Sequence, residues 1–289
     1  MLQRKHYTLK LRSRAIALGE RTLVMGVLNV TPDSFSDGGK FFNPRRALER
    51  ALEIERDGAD LLDVGADSTR PGAKTITTQE ELRRVLPVLE ALRGRLKIPL
   101  SIDTRNSEVA EAALAVGAQL INDVSGLRHD PRIAHVAAKH RAPLILMHMR
   151  GEPGTMQKKP FARDVLRDVT RGLRASAAQA LRAGVAKSQI VLDPGIGFGK
   201  SFRQNYELLR TLPRLAALGY PLLVGASRKG FLGATLARDG RPAPPEQRIW
   251  GTAATVTASI LSGAHIVRVH DVAEMVQVAR VSDCLLLAR

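Results

Sequence analysis

The chain predicts an α/β fold, a (β/α)8 TIM barrel with a short N-terminal β-hairpin, on three observations. A unit recurs in which a helical stretch ends in Gly-Ala and feeds a short apolar strand that finishes in polar residues: GADLLDVG (Gly58–Gly65), GAQLINDVSG (Gly117–Gly126) and GAHIVRVHD (Gly263–Asp271). Five further apolar runs lie between these units, which makes eight strands in alternation with helices. The runs are near-continuously apolar rather than alternating, as expected of parallel strands buried on both faces. Eight such units favour ring closure, with an open doubly wound sheet as the runner-up because periodicity does not encode closure.

In chain order, residues 1–20 carry the hairpin, read over Tyr7–Ala17 and expected to cap the bottom of the barrel. The strands follow as Thr22–Leu28, Gly58–Gly65, Pro99–Asp103, Gly117–Gly126, Pro143–His148, Ile190–Asp193, Pro221–Ser227 and Gly263–Asp271. Amphipathic segments such as TQEELRRVLPVLEALRG and RIWGTAATVTASILSG separate them, with apolar residues at helical spacing. Residues 1–289 are read as one domain.

Composition narrows the function classes. With 44% hydrophobic residues in 289, the chain can bury a large core. One cysteine, Cys284, allows no internal disulfide, and no run approaches the roughly 18 apolar residues of a membrane span. A cytoplasmic protein is the simplest expectation. The net charge of +16 invites a nucleic-acid reading, but the basic residues are scattered among acids along helix faces, as in RDVLRDVTRGLRASAAQALRAG, without interleaved aromatics. Solvated arginines account for them better than a specific nucleic-acid surface, although a positive field would collect anionic substrates.

The strand ends carry Asn29, Asp63, Asp103, Asn122 with Asp123, His148, Asp193, Ser227 with Arg228 and Lys229, and Arg268 with His270. In a barrel all of these meet at the C-terminal mouth, where such folds keep their chemistry. Asp103, Asn122 and Asp193 combine acceptors with one amide and suit a flat heterocycle bearing amino and ring N–H groups. Arg70, Arg268 and His270, with Asn29 as a neutral oxygen ligand, suit a phosphate or pyrophosphate held with Mg²⁺. The stretch DPGIGFGKS has the ending of a P-loop, but Pro194 stands where the first glycine is required, so Lys200-Ser201 is read as the start of the next helix outside the ring. Neither a nucleophile elbow nor a His-Glu metal spacing occurs, so catalysis is expected to rest on positioning and charge stabilisation. Two loops rich in Ser, Thr, Pro, Gly and Asp, Gly26–Gly39 with Phe35 and Asp67–Ala73, are expected to close over a flat substrate.

The motifs NVTPDSFSDGG, GADSTRPGA, SIDT, INDVSG, LMHMRG, DPGIGFGKS, SRKGFLG and RVHD, in this order over essentially the whole chain, resemble those of the bacterial dihydropteroate synthases. The resemblance implies a barrel enzyme of folate synthesis, a homodimer, that joins hydroxymethyl-dihydropterin pyrophosphate to para-aminobenzoate with Mg²⁺ and releases dihydropteroate and pyrophosphate. It implies that Asp103, Asn122, Asp193 and Lys229 hold the pterin, with Met147 packed beside it. Asn29, Arg70, Arg268 and His270 would hold the pyrophosphate, Asn29 also reaching the metal. Thr69, Pro71, Phe35, Phe198 and Ser227 would surround the aminobenzoate, and Asp37 or Asp33 would stabilise a pterin-methyl cation. Gly230 follows the SRK motif, which removes any side-chain hydroxyl contact from that position. A methyltetrahydrofolate methyltransferase shares the Asp/Asn/Asp logic but has no need of NVTPDSFSDGG or SRKGF. An inactive binding relative would lack one of Asn29, Arg70, Lys229 or Arg268, all of which are present.

Overall fold

The structure is a computed structural model that describes residues 4–30, 44–66, 76–152, 154–157, 160 and 162–288. A two-stranded antiparallel hairpin, β1 (Tyr7–Lys10) and β2 (Ala15–Leu18), opens the chain. Then strands and helices alternate: β3 (Leu23–Asn29), α1 (Pro44–Arg56), β4 (Leu61–Gly65), α2 (Thr78–Leu92), β5 (Leu100–Asp103), α3 (Ser107–Val116), β6 (Leu120–Asp123), α4 (Ile133–His140) and β7 (Leu144–Met147). The series continues with α5 (Val165–Arg182), β8 (Ile190–Asp193), α6 (Phe202–Ala216), β9 (Leu223–Val224), α7 (Gly230–Thr235), α8 (Ile249–Leu261), β10 (Ile266–Val269) and α9 (Val272–Leu287).

Strands β3 to β10 are all parallel, and each pairs with its neighbour in sequence from β3 to β8, while β10 joins β3 to β9. A parallel bridge between Leu192 and Leu222, supported by the Leu192 N–H donating to the Pro221 carbonyl at 3.0 Å, brings β8 beside β9 and joins the two ends of the sheet. The ring expected from the sequence is therefore formed. The regular strands are shorter than the apolar runs: β9 keeps only Leu223–Val224 of the segment 221–227, and β10 begins at Ile266 rather than Gly263. The remaining residues of those runs are the turns that carry the polar side chains.

Two apolar layers follow from the period of two along each strand. One side chain set, with Val64, Ile102, Ile121, Leu146 and Leu192, meets the surrounding helices. The other points into the barrel, where Met25, Leu61, Leu120, Ile145, Val191 and Ile266 pack on Leu9, Leu11 and Leu18 of the hairpin region. The hairpin is thus a plug in the floor. His265 fastens it: its Nδ1 accepts from the Leu222 N–H at 3.2 Å, which fixes Nε2–H as the donor to the Lys5 carbonyl at 2.9 Å. Burial pulls the His265 pKa down to about 4, so it stays neutral.

The first described residues are also tied to the last helix. Arg4 donates to Asp283 at 2.7 Å and to the Thr22 hydroxyl at 3.0 Å, and Asp283 accepts in addition from the Thr22 N–H at 2.7 Å and hydroxyl at 2.8 Å. Among the described residues no helix is long and apolar enough to cross a membrane. The helix faces carry the expected mixture of charges, with Arg45–Glu49, Arg50–Glu53 and Arg171–Asp168 pairs one turn apart.

Candidate active site

The floor of the mouth is a polar network spanning the inside of the ring. Arg268 on β10 donates through Nε to Asp63 on β4 at 2.7 Å and through Nη2 to Asp103 on β5 at 2.9 Å. Asn122 on β6 donates its amide N–H to the same Asp63 oxygen at 2.8 Å, which leaves the Asn122 amide oxygen as an acceptor toward the cavity. Asp63 is fully buried; its second oxygen and the Ser101 hydroxyl, register partners across β4 and β5, have no hydrogen-bond partner among the described residues. Arg268, expected at the pyrophosphate, is here committed to two carboxylates and only partly exposed, at 21%. It reaches an anion only with guanidinium edges that those acids leave free.

Asp193 ends β8 beside this network and is 5% exposed. Burial raises its pKa to about 6, opposed by the Gly195 N–H, which donates to its Oδ1 at 2.7 Å, and by the charges of Lys229, Lys200 and Arg268. Lys229, half-buried, is pulled down to about 8 by burial and by Arg268, against Asp193 and Asp103. Its ammonium lies 3.9 Å from the centroid of the Phe198 ring. Phe198 in turn belongs to a small apolar cluster with Val124, Met147, Met149 and Met156, so Met147 forms part of a polarisable wall next to Asp193. Carboxylates, an amide, an ammonium and an apolar wall are therefore brought together at the C-terminal ends of β5, β6, β7 and β8 and the turn after β9.

At the rim, the Ser227 hydroxyl accepts from the His270 backbone N–H at 3.2 Å and lies 3.0 Å from His270 Nδ1. A hydroxyl oxygen accepts twice and donates once, so either atom can donate in this contact; with the Ser227 proton directed at Nδ1, Nε2–H would be the imidazole donor. Burial, with Arg268 and Arg228 nearby, lowers the His270 pKa to about 3. His270 is thus a neutral donor rather than a cation, and Ser227, 3% exposed, serves it. Arg228, in the left-handed region at φ 58°, makes a two-pronged pair with Asp271 and holds the turn after β9 to the turn after β10. Asn29 is half-buried at the end of β3. Phe35, Asp37, Asp33, Thr69, Arg70 and Pro71 lie outside the described residues.

Three sequence expectations change. Lys200 does not sit outside the ring: it is 2% exposed, and its ammonium donates to the carbonyls of His148 at 2.9 Å, Gly195 at 2.8 Å and Phe198 at 3.0 Å. The helix begins one residue later, where Ser201 and Gln204 form a reciprocal cap on α6. Asp123 does not face the mouth; it accepts from Ser125 and Leu127 N–H groups at 2.8 and 2.6 Å and shapes the turn after β6. His148, 10% exposed, packs its ring against Gly172 of α5, and burial lowers its pKa to about 2, so it is neutral and turned away from the network.

Asp63 was visible as an acid inside the apolar run LLDVG, at the same alternation as the inward Leu61, but its role needed the spatial neighbours. For Lys200 the signal was its place between a three-glycine turn and a serine cap, where a side chain folds back over its own loop.

Comparison with known proteins matches this geometry. The family model described as pterin binding enzyme covers residues 25–270. A dihydropteroate synthase of Synechocystis sp. is 50% identical over 267 residues, 92% of this chain and 91% of that protein. The crystal structure of Xanthomonas albilineans dihydropteroate synthase with 4-aminobenzoic acid superposes with a TM-score of 0.90 at 42% identity, covering 99% of this chain and 100% of the other. The Yersinia pestis dihydropteroate synthase in complex with a sulfonamide drug gives 0.89 at 42% identity, covering 98% and 100%. The barrel, the motif order and these likenesses agree, and the chain belongs to the pterin-binding enzymes, in their dihydropteroate synthase branch of transferases.

Proposed function

We propose that the mouth condenses hydroxymethyl-dihydropterin pyrophosphate with para-aminobenzoate, giving dihydropteroate and pyrophosphate. The observation that carries this reading is the convergence of Asp103, Asn122 and Asp193 from the ends of β5, β6 and β8 beside Lys229 and the β7 residue Met147. The Asp193 carboxylate and the Asn122 amide oxygen accept from the amino and ring N–H groups of the pterin, Lys229 donates to its carbonyl side, and Met147 covers a face. The neutral His270 Nε2–H and the Arg268 guanidinium donate to the pyrophosphate, joined by Arg70. Phe198 and Ser227, with Phe35, Thr69 and Pro71, border the aminobenzoate.

Bond breaking comes first in this reading. The pyrophosphate leaves with the C–O electron pair, its charge met by Arg268 and His270; the aminobenzoate nitrogen then bonds to the pterin methylene, which Asp37 or Asp33 stabilises as a cation, and gives up one N–H proton to water. Mg²⁺ fits as a cofactor. Asn29, at the end of β3, would hold it through one neutral amide oxygen, a hard donor of the kind Mg²⁺ takes. When bound, it supplies charge neutralisation of the departing pyrophosphate. Residues 1–289 act as one domain in a cytoplasmic homodimer, with small molecules rather than nucleic acid as partners.

The test is product formation from the two substrates by the purified chain. Turnover is expected to need both substrates and Mg²⁺, to stop on chelation and to be inhibited competitively with aminobenzoate by sulfonamides. Absence of dihydropteroate with both substrates and Mg²⁺ present would overturn the reading.

A further inference from the structure

The turns after β7 and β8 approach each other closely. The Gly195 α-carbon is so near the His148 carbonyl that a Cβ built there would lie 2.0 Å from its oxygen. Two carbonyl dipoles, those of His148 and Gly195, therefore point into the same narrow space, joined by a third from Phe198. Three buried acceptors side by side repel one another and need donors. The Lys200 ammonium meets all three. It has three N–H donors, so each carbonyl takes one and none is left over. A neutral amine has two, so only the charged form completes the set; burial pulls the Lys200 pKa down to about 7, against Asp193 and Asp168, so the set is complete below that pH.

What these carbonyls belong to gives Lys200 its significance. Gly195 presents its N–H to the Asp193 carboxylate at 2.7 Å, while its carbonyl serves Lys200 and also accepts from the Phe198 N–H at 3.1 Å. The Phe198 ring carries the Lys229 ammonium on its face. One short path thus runs from Lys200 through Gly195 to Asp193, and another through Phe198 to Lys229. The His148 N–H also donates to the Asp193 carbonyl at 2.9 Å, so the clamp closes on both sides of β8.

We propose that Lys200 is a positioning residue for the reaction: its buried ammonium locks the turns after β7 and β8 together and thereby sets the Asp193 carboxylate and the Phe198 ring toward the two substrates. Lys200 touches neither substrate. The proposal rests on the reading of Asp193 and Phe198 as substrate contacts.

The experiment is chemical rescue. Lys200→Ala keeps Cβ, and the atoms removed have the length and charge of propylammonium. The variant is expected to lose at least about tenfold in kcat/KM, because a misplaced carboxylate and ring cost alignment. Propylammonium should restore turnover saturably, while 1-propanol, of the same length without the charge, should not. Loss of activity that propylammonium leaves untouched, or activity within twofold of the parent, would overturn the proposal. Asp193→Asn is assayed alongside: it should bind pterin weakly with or without the amine, and unchanged pterin affinity would instead remove Asp193 from the site. Hydrogen exchange of the unaltered protein keeps the proposal testable if Lys200→Ala does not fold. Amides 195–198 should exchange slowly, and exchange as fast as that of an open loop would count against the clamp.

Discussion

Asp63 and Arg268 meet across the inside of the barrel at 2.7 Å, from strands separated by β3, and the carboxylate that receives the arginine is fully buried. The same oxygen holds the Asn122 amide, so one atom orients two side chains of the mouth. Asp63→Asn removes the charge that offsets Arg268 and places an amide against an amide. It is expected to lower kcat/KM by at least about tenfold, since breaking one partner of a buried pair costs roughly 3–5 kcal/mol, shared between folding and alignment. Steady-state kinetics and melting checks it: coupling to Arg268→Ala should be strongly non-additive in a double-mutant cycle.

A bell-shaped pH dependence of kcat/KM for the pterin substrate is expected. Asp193 accepts hydrogen bonds only as the carboxylate, which is lost as pH falls through about 6. Lys229 donates as the ammonium, which is lost as pH rises through about 8. The acid limb therefore reports Asp193, and the alkaline limb reports Lys229 together with Lys200, whose ammonium burial lowers to about 7. A flat profile from pH 5 to pH 9 would contradict both assignments.

Gly195→Ala is expected to abolish activity. Gly195 has φ +66°, and the added methyl would fall 2.0 Å from the His148 carbonyl oxygen, so the turn must open. Gly230→Ala is the comparison, because nothing lies within 4 Å of a Cβ there and its backbone is helical. Calorimetric pterin binding should disappear in the first and persist in the second.

Asp283→Ala should lower stability without changing chemistry. Arg4, 3% exposed on its side chain, would be left with a buried charge served, among the described residues, by the Thr22 hydroxyl alone. A cost of roughly 3–5 kcal/mol corresponds to a fall in Tm on the order of 5–10 °C. Scanning calorimetry measures this, and kcat at low temperature should match that of the parent.

How far the sequence carried the reading depended on the distance over which each residue acts. The eight strands were legible because burial on both faces imprints a local apolar run, and their polar ends were legible because each sits where such a run stops. Asp103, Asn122 and Asp193 were found in this way. The state of a side chain was not legible where a distant partner decides it. Arg268 read as a free cation until Asp63 and Asp103 lay against it, and His270 read as a possible cation until burial and the neighbouring arginines held it neutral. Lys200 was misread because a lysine before a helix normally extends into water, whereas three carbonyls from two turns draw this one inward.

The hairpin plug imposes an order of traffic. With Leu9, Leu11 and Leu18 filling the bottom of the ring, ligands share one doorway. Of the groups read as pterin contacts, Asn122 and Asp193 are buried at 2% and 5% and Asp103 and Lys229 are half-buried, as is His270 nearer the rim. Whatever occupies the depth must arrive first and depart last. A second substrate seated at the rim would lock the first behind it, and a product joining the two can withdraw only as one piece, rim end leading.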